Sequence, residues 1–248
     1  EGTKKKKVYI VGFAPSWNET PWDDKEAEIW TLNEAYKLAE QQPKFRADRW
    51  FEIHNLDRPP KNDKKHIAWL QQCPVPLYTL QKWDFLPNAI PFPFYEISDW
   101  LKQNGHIGYR YFTNSISWMI AFAIAEGFEE IHIYGVDMAV EKDANGNQEY
   151  GYQKPSCEYI IGVGEKYAKF YIPETSDLLF CSKMYAVELD NKNAVFYKKQ
   201  IDQLNQRLKQ IDSALGNADK QAQTWEAQRH QIMGAMDTYR MLLRKRLM

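Results

Sequence analysis

The 248 residues, 44 % hydrophobic and 26 % charged, are enough chain and enough apolar surface to bury a core, which excludes disorder throughout. No apolar run approaches the ~20 residues of a membrane span, Glu1 to Lys7 is charged rather than signal-like, and Cys73, Cys157 and Cys181 are too scattered for a zinc knuckle or a disulfide framework; the expectation is a cytoplasmic protein with free thiols. The net charge of −1 hides a division, because residues 192–248 carry eleven basic against five acidic side chains, a balance of +6 that leaves −7 for residues 1–191.

In chain order, Lys7-Val-Tyr-Ile-Val-Gly12 reads as a buried strand stopping at a glycine, and Glu28–Asn33 and Arg49–His54 read as the next two. Pro74–Leu80 is a fourth, with prolines that suit an edge or a strand start. Ser115–Gly127 is an almost wholly apolar helix closed by a glycine. Glu130–Asp137 is a central strand and Lys169–Pro173 the last. Strands apolar on both faces and separated by helical stretches predict an α/β fold: a Rossmann-like, mostly parallel sheet with helices on both faces, over residues 1–190.

In such sheets ligands bind beyond the carboxyl ends of the strands, so the residues just past those ends are the candidates. Gly12-Phe-Ala-Pro-Ser16 is either a phosphate-approaching turn or a plain turn with Ser16 as a helix cap, and it carries neither a dinucleotide fingerprint nor a P-loop. Asn33 offers an amide to a base or a phosphate, or is a turn residue. Asn114 and Ser115 open the apolar helix as a phosphate cradle or as a cap. Asp137 stands where ribose hydroxyls or a metal would be met, or is a cap itself. Residues 138–156, rich in Asp, Asn and Gly at the start, predict a mobile lid, and Tyr150, Tyr152, Lys154, Ser156 and Glu158, within nine residues of one another, could clamp a phosphate and accept a proton, or line the solvated start of a helix. Among the histidines, His54 ends a strand at the presumed ligand edge and is the best placed general base. The 15 % of aromatic residues, nine Trp and fifteen Tyr among them, suit either a core or stacking on sugars and bases.

The order of these pieces, Ile10-Val-Gly-Phe-Ala-Pro-Ser16, Leu32-Asn33, Asn114-Ser115 and Ala125-Glu-Gly-Phe-Glu-Glu-Ile-His-Ile-Tyr-Gly-Val-Asp137, resembles the Rossmann-type superfamily of archaeal 6-hydroxymethylpterin pyrophosphokinases, motility accessory factors and bacterial single-domain sialyltransferases. Uncharacterised phage relatives look closer still, through Pro155-Ser-Cys-Glu158 and Pro173-Glu-Thr-Ser-Asp177. The resemblance covers about residues 7–180. It implies that Gly12, Ala14, Pro15, Ser16 and Asn33 hold a nucleotide, that Asn114 and Ser115 contact its phosphate or base, and that Asp137 lies beside the ribose. Tyr150 and Tyr152 match the place of the paired tyrosines that steady the leaving phosphate in the sialyltransferases. Those enzymes use a later histidine as base, but this sequence has none between His132 and His230; Lys154-Pro-Ser-Cys-Glu158 occupies the region, so the base would be His54 or Glu158. The implied function is a nucleotide-dependent transferase, foremost a glycosyltransferase with a nucleotide-sugar donor. The alternatives are an ATP-dependent pyrophosphokinase, with Mg2+ on Asp137 and Asp143, and a non-catalytic phage-type binding or assembly protein.

Residues 191–248 differ in kind, with no proline and many glutamines. Ile201, Leu204, Leu208, Ile211 and Leu215 step by three and four, Gly216-Asn217 reads as a break, and Ala218, Ala222, Trp225, Ile232, Met236, Tyr239 and Leu243 form a looser second stripe. The expectation is an antiparallel helical hairpin that makes a homo-oligomer. Its basic residues are spread over 57 positions, with a cluster at Arg244-Lys-Arg246 alone, which places nucleic acid second as a partner.

Overall fold

The computed structural model describes residues 6–138, 149–181, 185 and 192–246. The chain divides into two compact units, Glu1–Ser182 and Lys183–Met248.

The first unit is built on seven strands: β1 (Lys7–Val11), β2 (Ala27–Leu32), β3 (Arg49–Glu52), β4 (Leu77–Thr79), β5 (Ile90–Pro91), β6 (Glu130–Tyr134) and β7 (Lys169–Tyr171). They form one sheet in the order β5-β4-β3-β2-β1-β6-β7, every neighbouring pair parallel. Among the described residues of this unit four α-helices are formed: α1 (Lys64–Gln71), α2 (Phe94–Gln103), α3 (Ser115–Ala125) and α4 (Glu149–Gly164). The α/β fold with a parallel sheet is the one the sequence predicts.

Alternation along β1 sends Val8 and Ile10 into one core and Tyr9 and Val11 into the other. The first core packs the sheet against α2, α3 and α4 through residues such as Leu101, Met119, Ile120 and Ile160. The second lies under α1 and the loops, where Trp17, Trp22, Trp50 and Trp83 are buried. With Trp30 that makes five of the nine tryptophans buried, so the aromatic excess serves the core first; each such ring contributes about 3 kcal/mol or more by leaving water.

Helix α3 is apolar all round because the sheet lies on one side of it and α4 on another. Asn114 caps it, its Oδ1 accepting from the Ser117 N–H at 2.9 Å. It ends in a paired reversal, with the Gly127 N–H donating to the Ile124 carbonyl and the Phe128 N–H to that of Ala123.

Three expectations need correction. Strand β5 is missing from the sequence reading, because two residues bearing a proline carry no periodicity. The lid expected over 138–156 is helical from Glu149 onward; residues 139–148 lie outside the described residues. In the second unit Lys192–Arg246 form one continuous helix, α5, of 55 residues, where a hairpin was expected. A glycine inside a helix costs about 1 kcal/mol, which is too little to break a segment whose other residues favour helix. No helix among the described residues is long and apolar enough to cross a membrane.

Candidate active site

The connections run outward from β1 to β5, and the chain then returns to place β6 on the other side of β1. In parallel sheets a ligand crevice lies beyond the carboxyl edge at such a reversal of strand order. A cavity of about 840 Å³ fills it, within the range of small-molecule sites. The predicted strands stop one to three residues earlier than the sequence suggests, which releases Gly12, Asn33, His54 and Asp137 into loops, and all four line the cavity.

The floor is two loops in backbone contact. The Gly12 N–H donates to the Tyr134 carbonyl at 2.9 Å and the Ala14 N–H to that of Gly135 at 2.7 Å. A Cβ on Gly12 would lie 2.4 Å from the Gly135 carbonyl oxygen, and one on Gly135, at φ +62°, 2.6 Å from that of Gly12. Gly12 is thus required by the neighbouring loop, whatever it also offers a ligand. Ser16 completes the tie: its Oγ accepts from the Gly135 N–H at 2.9 Å, buried. Pro15 starts a short 3-10 turn and, like Ser16, is not among the residues lining the cavity; both support the loop that carries Gly12 and Ala14.

Asn33 adopts φ +51° directly after β2. Its N–H and carbonyl are used within the fold, on the Phe51 carbonyl and the Trp50 indole N–H. Its buried Oδ1 has no hydrogen-bond partner among the described residues. A buried polar atom of this kind calls for a partner. Asn114 and Ser115 also line the cavity, but the Asn114 side chain is committed: Oδ1 to the Ser117 N–H and the Cys157 thiol, Nδ2 to the Gln153 carbonyl and the Ser156 hydroxyl. It presents the amino end of α3 and does not itself reach outward. Burial pushes the Cys157 thiol up to about 12, which leaves it inert.

The residues predicted from the lid divide. Ser156 is fully buried and bonds Thr113 and Asn114, joining α3 to α4. Tyr152 is 78 % exposed and not in the cavity lining. Lys154 stands 3.7 Å from Glu158, and Glu158 accepts from the Leu179 N–H; both are half-buried, and neither is among the residues lining the cavity. The side chain of Tyr150 and all of Asp143 lie outside the described residues.

His54 is the predicted residue with the most developed surroundings. Glu52, the last residue of β3, is fully buried. One carboxylate oxygen meets His54 Nδ1 at 2.7 Å and the other meets His66 Nε2 at 2.8 Å, with Lys61 Nζ at 4.0 Å. Burial pushes the carboxyl up, but hydrogen bonds from the two imidazoles and the Lys61 charge outweigh it and hold Glu52 down to about 2. An ionised carboxylate only accepts, so Nδ1 of His54 and Nε2 of His66 both carry hydrogen. His54 is left with Nε2 as its basic nitrogen, on a side chain 41 % exposed at the cavity, and His66 Nδ1 faces the Tyr36 hydroxyl at 3.5 Å. The sequence reading missed Glu52 and His66. Its available signal was a carboxylate in an otherwise buried strand, two residues before a histidine.

Part of the cavity lining is aromatic. Phe112 and Trp118 stack with centroids 3.7 Å apart, Phe94 packs edge-on to Trp118 at 4.9 Å, and all three line the cavity.

No family model matches the chain, and no curated protein matches it. Solved structures do. An α-2,3-sialyltransferase from Campylobacter jejuni in apo form is 18 % identical over 81 % of this chain and 96 % of that one, with a TM-score of 0.47. The C. jejuni sialyltransferase CstII in complex with CMP-3FNeuAc is 20 % identical over 67 % of this chain and 80 % of its own, with a TM-score of 0.46. The monofunctional enzyme Cst-I of the same organism is 14 % identical over 83 % and 97 %, at 0.37.

Proposed function

We propose that this protein is a glycosyltransferase that moves a sugar from a nucleotide-sugar donor to an acceptor hydroxyl, with His54 as general base. The observation that carries the reading is the His54–Glu52 pair opening into the same cavity as Asn33 and the amino end of α3. In that arrangement Nε2 of His54 takes the proton of the acceptor hydroxyl, as a base within hydrogen-bond reach must. The hydroxyl oxygen attacks the anomeric carbon, the bond from that carbon to the phosphate oxygen breaks, and the nucleotide leaves with the electron pair. N–H groups at the start of α3 face the charge that develops on the phosphate. The Phe112–Trp118 stack offers a flat apolar face to a sugar or a base. Asn33 Oδ1 would accept from a base or ribose donor.

Calorimetric titration with CMP, UDP, GDP and ADP tests the reading, followed by nucleotide release from the matching sugar donor. Heat with one nucleotide, and release that His54→Ala abolishes while leaving nucleotide affinity in place, is the expected result. Absence of heat with all four, with and without magnesium, sinks it.

A further inference from the structure

The apolar seam of α5 does not stop where the sequence suggests a turn. Counted from Ile201, steps of three and four run without a change of phase through Leu215, Ala218, Ala222 and Trp225 to Leu243. Gly216 and Asn217 fall between seam positions, on the outward side, and the helix passes through them unbroken. In heptad terms Ile201, Leu208, Leu215, Ala222 and Met236 take position a, and Leu204, Ile211, Ala218, Trp225 and Ile232 take position d. The eight larger of these side chains are between 48 % and 64 % exposed. A helix about 80 Å long draws its stability from packing such a face, and a seam sustained over this many heptads is a coiled-coil pattern.

We infer that α5 pairs with α5 of a second copy of this chain as a parallel, in-register two-stranded coiled coil. The flanking charges select both the occupant and its direction. In a parallel pair each g position faces the e position five residues on in the other copy. Arg207 at g then meets Asp212 at e of the second copy, once on each side, and no such pair along the helix carries like charges. An antiparallel pair of nearly full overlap instead sets Asp212 beside Glu226 of the other copy, twice. Arg229, the one charged residue at an a position between Ile201 and Leu243, selects two strands over three, because its long side chain can pass the edge of a two-stranded seam to water. Ala218 and Ala222, the two seam positions before Trp225, leave room on that side for a pair of indoles.

The test uses the full chain in light scattering. The native protein is expected at twice the 29.3 kDa of one chain. Leu208→Asp with Leu215→Asp, on the seam, is expected to reduce it to one chain. Lys209→Asp with Gly216→Asp, the same charges one residue further round, is expected to keep it at two, and near-ultraviolet circular dichroism of the buried tryptophans reports that the sheet unit is intact in each. A native mass of one chain, or a dimer that survives the seam variant, overturns the proposal. Direction is read by Ile211→Cys in a Cys181→Ser background. Diamide takes two hydrogens from the two facing thiols, forming one disulfide and the corresponding hydrazine, and a two-chain product is expected. A dimer that forms no such crosslink overturns the parallel register.

Discussion

His54 Nδ1 and Glu52 Oε1 lie 2.7 Å apart, two residues from each other along the chain, with the imidazole at the cavity and the carboxylate fully buried behind it. The strand ends between them: Glu52 is the last residue of β3, and because both faces of the sheet are covered its side chain is buried, like those of Trp50 and Phe51 before it. A turn of two residues therefore brings a base to the surface and keeps its orienting charge in the core.

That relation has an acid limb. Glu52 is held down to about 2 in the fold against roughly 4.3 in an unfolded chain. Its depressed value means that its stabilisation is fully present above the unfolded value and is lost as pH falls through the folded one. Glu52→Gln is expected to cost about 2 kcal/mol near neutrality, and the difference from the native protein should shrink between about pH 4.5 and 2. Urea titrations at a series of pH values measure it; a difference that is flat over that window contradicts the assignment. In turnover, Glu52→Gln is expected to lower kcat about 100-fold or more with little change in KM, because the amide no longer enforces the Nδ1–H tautomer.

Asn33 is expected to matter to ligand and not to fold. Asn33→Gly keeps the positive φ without strain and removes the buried Oδ1 that lacks a partner. Nucleotide affinity should fall about tenfold, the loss of one hydrogen bond, while the melting temperature stays within a few degrees. Calorimetry and thermal scans of the same preparation decide between a binding and a structural role.

The floor behaves in the opposite way. Ser16→Ala strands the buried Gly135 N–H and should cost about 1–3 kcal/mol. Gly12→Ala must displace the β6 loop and should cost about as much or more. Both losses are expected in denaturant midpoints; a Ser16→Ala protein of native stability would mean that the tie is not needed.

The thiols should separate by exposure. Cys181 is exposed, Cys73 half-buried and Cys157 buried, and burial raises both of the latter two. Iodoacetamide on the native protein is expected to alkylate Cys181 first and to reach Cys157 only in denaturant, as read by peptide mass mapping.

The parallel sheet was legible because its strands are apolar on both faces, and the edge at which the cavity opens was legible because Gly12, Asn33, His54 and Asp137 each close such a run. What pattern could not show is which polar atoms are already spent. Asn114 and Ser16 look like ligand contacts in sequence, yet their hydrogen bonds go to α3, α4 and the β6 loop. Glu52 and His66 are 14 residues apart and meet only through the packing of α1 on the sheet. At Gly216 local glycine chemistry suggested a stop, while the phase of the seam on either side of it was the stronger signal.

The crossing of Gly12 and Gly135 has a consequence for affinity. Three hydrogen bonds hold those loops together before any ligand arrives, so the ordering entropy of that side of the cavity is incurred during folding. A ligand resting there meets preorganised backbone, and the free energy of its contacts appears as binding and is not consumed in immobilising the loops.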